Sequence, residues 1–306
     1  MSPQTSSKVI QLLFLGSGTS GGIPSVPCLV KQNKTCGVCL SSMTEEGKKN
    51  KRRNTSLLVK IQTPEGVVKN VLIDCGKTFY ESTIDLFPKH GIQSIDAVIL
   101  THGHADAILG LDDLRPWTEG REDTLIVNLN LETFNVVKTT FPYIVDPLKS
   151  TGGGQIPKLK FNVFDNLDQI NIFGIDFTPL LVEHGIKESG MPYHALGFKF
   201  DRISYISDCS LIPEETRQII KGSEYFIVDS LRWTSHLSHY SFYQALDEIL
   251  IHSPKLSLLT DFCHNIDHFQ VVNELESWQK KHNLRVMPAF DGLLVKIENE
   301  EYTLME

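Results

Sequence analysis

The sequence predicts an α/β fold in which two β-sheets pack together and are covered by helices. Three observations support this prediction: short apolar runs recur along the whole chain, helical patterns are fewer and enter between groups of these runs, and no proline-rich linker or internal repeat divides the sequence. With 306 residues and 41% hydrophobic content, the chain can bury a large core. We therefore predict a single globular domain over residues 1–306.

The apolar runs are predicted to be β-strands because they are rich in β-branched and aromatic residues. In chain order they are VIQLLFLG, TSLLVKI, VVKNVLID, AVILT, TLIVNLN, KLKFNVF, INIFGIDFTPLLVE, LGFKF, ISYIS, YFIVDS, KLSLLT and LLVKIE. Apolar residues at helical spacing predict helices over PEETRQIIKGS, SFYQALDEILIH and FQVVNELESWQKKHN. The second of these helices has Ser241 and Gln244 at the spacing of a capping box. The stretch STGGGQIP is predicted to be a flexible loop.

The motif GSGTSG at residues 16–21 follows a predicted strand, as the glycines of a dinucleotide-binding turn do. That fingerprint needs a helix at its last glycine, but Pro24 and Pro27 follow directly and no βαβ unit develops. We therefore predict a tight glycine turn that lets the backbone come close to an active site.

The net charge and the N-terminal apolar run limit the partners that we expect. The net charge of -8 gives no general attraction for nucleic acid, so nucleic acid is not the expected partner. The basic run KKNKRRNTS is predicted to be a solvated loop. The first apolar run is too short to cross a bilayer and lacks the flanks of a secretory leader, so we expect no membrane partner. We expect a cytoplasmic protein, with the nucleus as the alternative, and a homodimer as an open outcome.

Cys28, Cys36 and Cys39 form a cluster with the spacing C-x7-C-x2-C. Two thiolates three residues apart can face one ion, and this pattern in a reducing compartment favours metal binding over disulfides. Three unrelated loop cysteines are the alternative. A metal site would need a fourth ligand, for which His264 and His268 in DFCHNIDH are both candidates. The other cysteines lie beside apolar runs and are predicted to be core residues: Cys75, Cys209 and Cys263.

A second set of ligand-type residues follows predicted strands. His102, His104 and Asp106 form the pattern H-x-H-x-D directly after AVIL, where two imidazoles and a carboxylate can converge on one ion. Strand ends on a rigid scaffold are good places to present such a site. Three further apolar strands each end at a ligand-type residue: His184 after TPLLVE, Asp208 after ISYIS and Asp261 after SLLT.

The chain resembles the metallo-β-lactamase superfamily of hydrolases over nearly its whole length, and within it the PhnP-like cyclic phosphodiesterase branch. The stretches that carry the resemblance, besides the cysteines, are LGSGTSGGIP, RRNTSLLV, VLIDCG, ILTHGHADAILGLDDLR, VEHG, YISDCS, SHLSHYSFYQAL, LTDFCHNIDH and PAFDGLLV. The chain is more distantly similar to ribonuclease Z. The resemblance implies an αββα sandwich with the site at one edge of the two sheets. It also implies a structural zinc held by the three cysteines and His264, with His268 as the alternative.

The resemblance further implies two active-site metals. The second would take Asp106 and Asp208, but the two histidines that complete it in the family are replaced here by Ala107 and Asp261. Asp261 offers oxygen in place of nitrogen and is the possible third ligand of the second ion, whereas the alanine offers no ligand. We therefore expect one firmly held zinc or manganese ion and a second ion that is weak or absent. The implied ligands of the first ion are His102, His104, His184 and Asp208.

Roles in catalysis also follow from the resemblance. His239 matches the family histidine that protonates the leaving oxygen, whereas His236 is expected to be a surface or supporting histidine. Asp106 is expected to orient the attacking water or to accept its proton. Asp74 and Asp291 are expected to orient ligands and loops.

The expected function is that of a metal-dependent hydrolase, a phosphodiesterase that acts on a small or cyclic phosphate ester or nucleotide through a metal-activated water. One alternative is an RNA 3′-end processing nuclease, which the acidic charge counts against. Another is a decayed hydrolase that acts as a metal-binding protein, which Ala107 favours and the intact histidines oppose. Substrate identity is left open, because pocket shape sets it.

Overall fold

The computed structural model describes residues 6–120, 123–298 and 301–305, so the first five residues of the N-terminal stretch lie outside the described part. The chain forms two compact units. Unit 1 comprises Met1–Leu15, Ser56–Asp176 and Gly292–Glu306, and unit 2 comprises Gly16–Thr55 and Phe177–Asp291. Each unit has its own cluster of buried apolar side chains.

The described residues form strands, α-helices and short 3-10 helices. The strands are β1 (Lys8–Gly16), β2 (Ser56–Gln62), β3 (Val68–Ile73), β4 (Ala97–Ile99), β5 (Leu125–Asn130), β6 (Leu159–Phe164), β7 (Ile170–Ile172), β8 (Ile175–Ile186), β9 (Pro192–Phe200), β10 (Ile203–Ile206), β11 (Tyr225–Asp229), β12 (Leu256–Thr260), β13 (Val286–Pro288), β14 (Leu294–Glu298) and β15 (Glu301–Met305). The α-helices are α1 (Val26–Val30), α2 (Gly37–Ser41), α3 (Phe79–His90), α4 (Ala105–Ile108), α5 (Arg115–Thr118), α6 (Leu131–Thr140), α7 (Pro142–Val145), α8 (Glu214–Ile220), α9 (Phe242–His252) and α10 (His268–His282). The 3-10 helices are Lys48–Asn50, Leu111–Leu114 and Pro147–Lys149.

Unit 1 is built on a sheet with the strand order β15-β14-β1-β2-β3-β4-β5-β6. Strands β3 to β6 are parallel, whereas β2 pairs antiparallel with β3 and β14 pairs antiparallel with β1 and β15. Parallel strands end at the same edge of a sheet. Asp74, which follows β3, and Thr101, which follows β4, are therefore neighbours at that edge, directly before the H-x-H-x-D motif.

The sheet of unit 2 contains the order β13-β12-β11-β10-β9-β8. Strands β10 to β13 are parallel, and β8, β9 and β10 are antiparallel. The register pairs Ile206 with Val228 and Asp229 with Thr260. The carboxylates that follow or end these strands therefore meet at one edge: Asp208, Asp229 and Asp261.

The predicted α/β class with two sheets is confirmed. All three predicted helices form as α8, α9 and α10, and Ser241 caps α9 in a complete capping box with Gln244. Helices α3 and α6 and strands β13 and β15 were not predicted from the sequence. None of the helices in the described part of the chain has the length and apolar content that a membrane span needs.

The GSGTSG motif makes a close backbone approach to residues 52–54 within unit 2, and its place beside an active site stays a prediction. A Cβ atom on Gly16 would overlap the carbonyl of Asn54, and one on Gly18 would lie 2.5 Å from the Arg52 side chain. The Gly18 amide donates to the Arg53 carbonyl at 2.8 Å. The small residues are needed because two backbone segments touch here.

Candidate metal and active sites

Unit 2 brings three cysteines and one histidine together. Cys28 lies in α1, Cys36 precedes α2, Cys39 lies within α2, and each offers a ligand atom within 4.8 Å of the others and of His264. The Nδ1 atom of His264 lies 3.4 Å from Cys28 Sγ and 3.5 Å from Cys36 Sγ. A cysteine sulfur and a histidine nitrogen that bind the same tetrahedral zinc ion are roughly 3.6 Å apart. The donor set and its spacing fit such an ion.

Burial raises the pKa of Cys39 to about 12, although a hydrogen bond from the Ser25 amide to its sulfur at 3.3 Å opposes this shift. A buried thiol becomes a thiolate when a cation compensates its charge. All six cysteines lie in the described ranges, and none of them forms a disulfide.

Arg52 holds the loop that presents His264. Its side chain is 1% exposed, and Nη1 donates to the carbonyls of Cys263 at 3.1 Å and Ile266 at 2.9 Å. Its Nη2 donates to Asn50, which also accepts from the His268 amide. The basic run was predicted to be a solvated loop, and this is wrong for Arg52, because its charge is used to bind buried carbonyls.

His268, the alternative fourth ligand, packs edge-on against the rings of Phe269 and Phe290 at centroid distances of 5.4 Å and 5.6 Å. Burial lowers its pKa to about 3. His264, and not His268, thus lies against the cysteines.

Unit 1 carries the H-x-H-x-D motif. His102 follows β4, and its ring lies 4.6 Å from that of His104. Thr101 Oγ1 is 2.8 Å from His102 Nδ1 and donates to Asp74 Oδ2 at 2.8 Å, while the Thr101 amide donates to Asp74 Oδ1. Asp74 thus acts through Thr101, and the contact at Nδ1 leaves the Nε2 nitrogen of His102 as the one available for an ion.

Asp106 and Ala107 lie in the short helix α4. A Cβ atom on Gly76 would overlap the Asp106 carbonyl, so this close backbone approach fixes the turn. Ala107 is 2% exposed within the apolar cluster of unit 1, and its carbonyl accepts from Cys75 at 2.8 Å. Position 107 is therefore part of the core, and its side chain offers no ligand atom.

His184 lies in β8 beside a register shift, and it is buried. Its Nδ1 donates to the Ser238 carbonyl at 2.7 Å, so Nε2 carries the lone pair. This Nε2 is 4.0 Å from Asp208 Oδ1. That separation exceeds a hydrogen bond but is within the roughly 3–4 Å expected for two ligands of one ion.

His239 stands between two buried carboxylates of unit 2. Its Nδ1 donates to Asp229 Oδ2 at 2.9 Å and lies 3.1 Å from Asp261 Oδ2. Its ring is 4.7 Å from that of His184, and His184, Asp208 and His239 offer ligand atoms within 4.8 Å of one another.

The protonation states of His239, Asp229 and Asp261 influence one another. Burial disfavours a charged His239, but the two carboxylates outweigh burial and raise its pKa to about 12. Burial raises the pKa of Asp229 to about 6 and that of Asp261 well above its usual range, while His239 opposes both shifts. A protonated ring is the charge that best compensates two buried carboxylates.

Sequence reasoning missed Asp229. It ends the predicted strand YFIVDS in the way that Asp208 and Asp261 follow theirs, and this strand-end pattern could have found it. Asp229 also accepts from the Cys209 amide at 2.9 Å. His236 is exposed, and its Nδ1 lies 3.2 Å from Ser238 Oγ.

Asp291 is placed where it can order loops of unit 2. It accepts from the Ser17 amide and hydroxyl, both at 2.9 Å, and from the Arg53 amide at 2.8 Å. Burial raises its pKa to about 6, although Arg53 opposes this shift.

The two sheets and the strand-end clusters of histidine and aspartate are those of a metal-binding hydrolase with the metallo-β-lactamase fold. Residues 69–260 match the beta-lactamase superfamily domain, and the chain belongs to this family.

Several known proteins are similar to this chain. The structure of a diphosphatase from the PhnP family covers 98% of this chain and 100% of its own, with 27% identity and a TM-score of 0.75. Zn²⁺-bound PqqB from Methylobacterium extorquens has a TM-score of 0.72 at 16% identity, covering 94% and 100%, which shows a shared fold. An octanoyltransferase of Porphyromonas gingivalis strain W83 is 33% identical over 246 residues, which are 78% of this chain and 43% of that protein. The chain thus spans less than half of that relative.

Proposed function

We propose that this chain is a metal-dependent phosphodiesterase that hydrolyses a small or cyclic phosphate ester or nucleotide. One observation carries the proposal: His239, held at Nδ1 by Asp229, stands beside His184 and Asp208. A histidine that is held at one nitrogen can deliver a proton from the other. The 27% identity to a diphosphatase, an enzyme that also cleaves a bond to phosphorus, supports this substrate chemistry.

The donor atoms fit a divalent cation. Histidine nitrogens and carboxylate oxygens suit zinc or manganese, and the Nδ1 contacts of His102 and His184 direct each Nε2 to a ligand role. When bound, such an ion lowers the pKa of water and offsets negative charge that develops at phosphorus. We propose that the ligands of the first ion are His102, His104, His184 and Asp208, with Asp106 and Asp208 available to a weak or absent second ion.

The chain's own residues would move the protons. In our proposal the oxygen of water attacks phosphorus, Asp106 orients that water or accepts its proton, and the bond from phosphorus to the leaving oxygen breaks. His239 gives its Nε2 proton to that oxygen. The carboxylates beside Nδ1 favour the protonated ring, which is the form that carries a proton at Nε2.

Hydrolysis of bis(p-nitrophenyl) phosphate with added Mn²⁺ tests the proposal. We expect turnover by the wild type and its loss in His102→Ala. A wild type that binds Mn²⁺ but leaves this ester intact would support the decayed hydrolase, and cleavage of precursor tRNA with no activity on small esters would support RNA processing.

Four further predictions from the sequence remain proposals. They are the single domain over residues 1–306, the small-molecule phosphate ester as partner in place of nucleic acid or membrane, the homodimer and the cytoplasmic location. Zinc is the proposed ion of the cluster formed by Cys28, Cys36, Cys39 and His264, whose donor chemistry supports it.

A further inference from the structure

We propose that Asp261 is a positioning residue that holds the Nδ1 side of His239 together with Asp229, and that it does not bind a second metal. We call Asp229 and Asp261 the carboxylate clamp. The inference rests on the proposed function, since it assigns His239 the role of acid, but its geometry can be tested separately.

Both oxygens of Asp261 already have contacts inside unit 2. Oδ1 accepts from Thr55 Oγ1 at 3.2 Å, and Oδ2 lies 3.1 Å from His239 Nδ1. The side chain is 1% exposed. Because His239 donates its Nδ1 proton to Asp229, Oδ2 of Asp261 accepts no hydrogen bond within the described part of the chain and acts on the ring through its charge, so binding an ion would compete with that charge contact.

The backbone also fixes Asp261. Its φ is +62°, a left-handed conformation that aspartate and asparagine tolerate better than most residues. The next residue is anchored, because the Phe262 amide donates to the Ser17 carbonyl at 3.1 Å. The carboxylate is therefore aimed at His239 by the chain itself.

Asp261 gives His239 a second negative charge beside Nδ1, next to the carboxylate of Asp229 that accepts its proton. Ala107 lies in the core of unit 1 and offers no ligand. Two carboxylates at Nδ1 hold the imidazole in one orientation, with the Nε2–H as the remaining donor.

The test compares Asp261→Ala and Asp261→Asn with a matched control, Asp291→Asn, which alters a mostly buried carboxylate of the same unit whose partners are Ser17 and Arg53. Active-site metal content and the NMR resonance of the His239 Nδ1 proton are measured in protein loaded with diamagnetic Zn²⁺, and kcat and KM for bis(p-nitrophenyl) phosphate are measured with Mn²⁺. Asp261→Asn keeps an oxygen acceptor and tolerates the left-handed backbone, so it covers the case in which Asp261→Ala does not fold.

We expect unchanged metal content in both Asp261 variants and a shifted His239 resonance that the control does not show. In Asp261→Ala, kcat should fall about 10-fold with little change in KM, and Asp261→Asn should recover part of this loss. Loss of an active-site ion with an unmoved His239 resonance would overturn the clamp and make Asp261 a ligand. A wild type without esterase activity would refute the proposed function, while the metal and NMR measurements would still decide the clamp.

Discussion

His264 and His239 are two histidines of unit 2 whose Nδ1 atoms contact different kinds of ligand group. His264 Nδ1 faces the sulfurs of Cys28 and Cys36, whereas His239 Nδ1 faces the carboxylates of Asp229 and Asp261. Thiols and a neutral imidazole form a complete ligand set for one ion. Two carboxylates instead favour a protonated ring.

In this unit, the partner of one ring nitrogen decides whether a histidine supports the fold or takes part in the chemistry. The cysteine cluster is held by loops that Arg52 ties together, so its ion would stabilise the fold. The clamp leaves the second nitrogen of His239 to deliver a proton.

Removing a cysteine ligand should destabilise the protein most. We expect Cys36→Ser to lower the free energy of unfolding by roughly 3 kcal/mol or more, because the loops lose the ion that links them. Urea unfolding of the zinc-loaded wild type and the variant measures this. Cys263→Ser, a buried cysteine outside the cluster, is the control, and an equal loss in both would remove the special role of the cluster.

Removing the proposed acid should act on turnover and not on metal content. His239→Ala should reduce kcat about 100-fold, since general acids of this kind contribute that much or more. Steady-state kinetics on bis(p-nitrophenyl) phosphate check this, with the exposed His236→Ala as control. An equal decrease in kcat in His239→Ala and His236→Ala would show that His239 is not the general acid.

Unit 1 offers a test of ligand orientation. Thr101→Val removes the hydroxyl that links Asp74 to His102 and should weaken active-site metal binding about 10-fold. Competition with a chelator measures the affinity. Thr216→Val, which removes another buried hydroxyl, should leave it unchanged. Unchanged affinity in Thr101→Val would mean that His102 does not need this contact.

His268 differs from both of the compared histidines because its ring packs against phenylalanine, and burial with the positive charges of Arg52 and Lys49 outweighs the effect of Asp267 on its pKa. Its folded pKa of about 3 lies below the ordinary value of 6.5. Below pH 6.5 the unfolded chain binds a proton at this residue that the folded chain refuses until about pH 3. The free energy of unfolding should therefore decrease as the pH is lowered from about 6.5 to about 3, by up to about 1.4 kcal/mol per pH unit.

Replacing His268 with leucine should flatten that pH dependence. Urea unfolding at pH 7.5, 6.5 and 5.5 in wild type and His268→Leu checks the prediction. Parallel curves for the two proteins would show that His268 is not the group responsible.

Much of the fold could be predicted because apolar runs and caps are local signals. The capping box of α9 and the strand run before His102 are examples. Helix α3 was missed, and its sequence carries Pro88, a residue that removes a helical hydrogen bond and so argues against a helix. Strand β13 has three residues, and only pairing with β12 defines it.

The candidate site was predicted in part, since strand ends point to His184 and Asp208. The strand-end pattern could have found Asp229 as a residue, but not its place beside Asp261. That neighbourhood depends on the parallel register that pairs Asp229 with Thr260. From sequence spacing alone, His264 and His268 were equally good candidates for the fourth zinc ligand. The structure distinguishes them, because the His264 ring lies beside cysteine sulfurs and the His268 ring packs against phenylalanine rings.

Metal counting in two histidine variants tests the central distinction most directly. Elemental analysis of protein purified without added ions compares the wild type, His264→Ala and His239→Ala. We predict that His264→Ala loses one equivalent of tightly bound metal and that His239→Ala loses none. Full metal content in His264→Ala, or a lost equivalent in His239→Ala, would contradict the account.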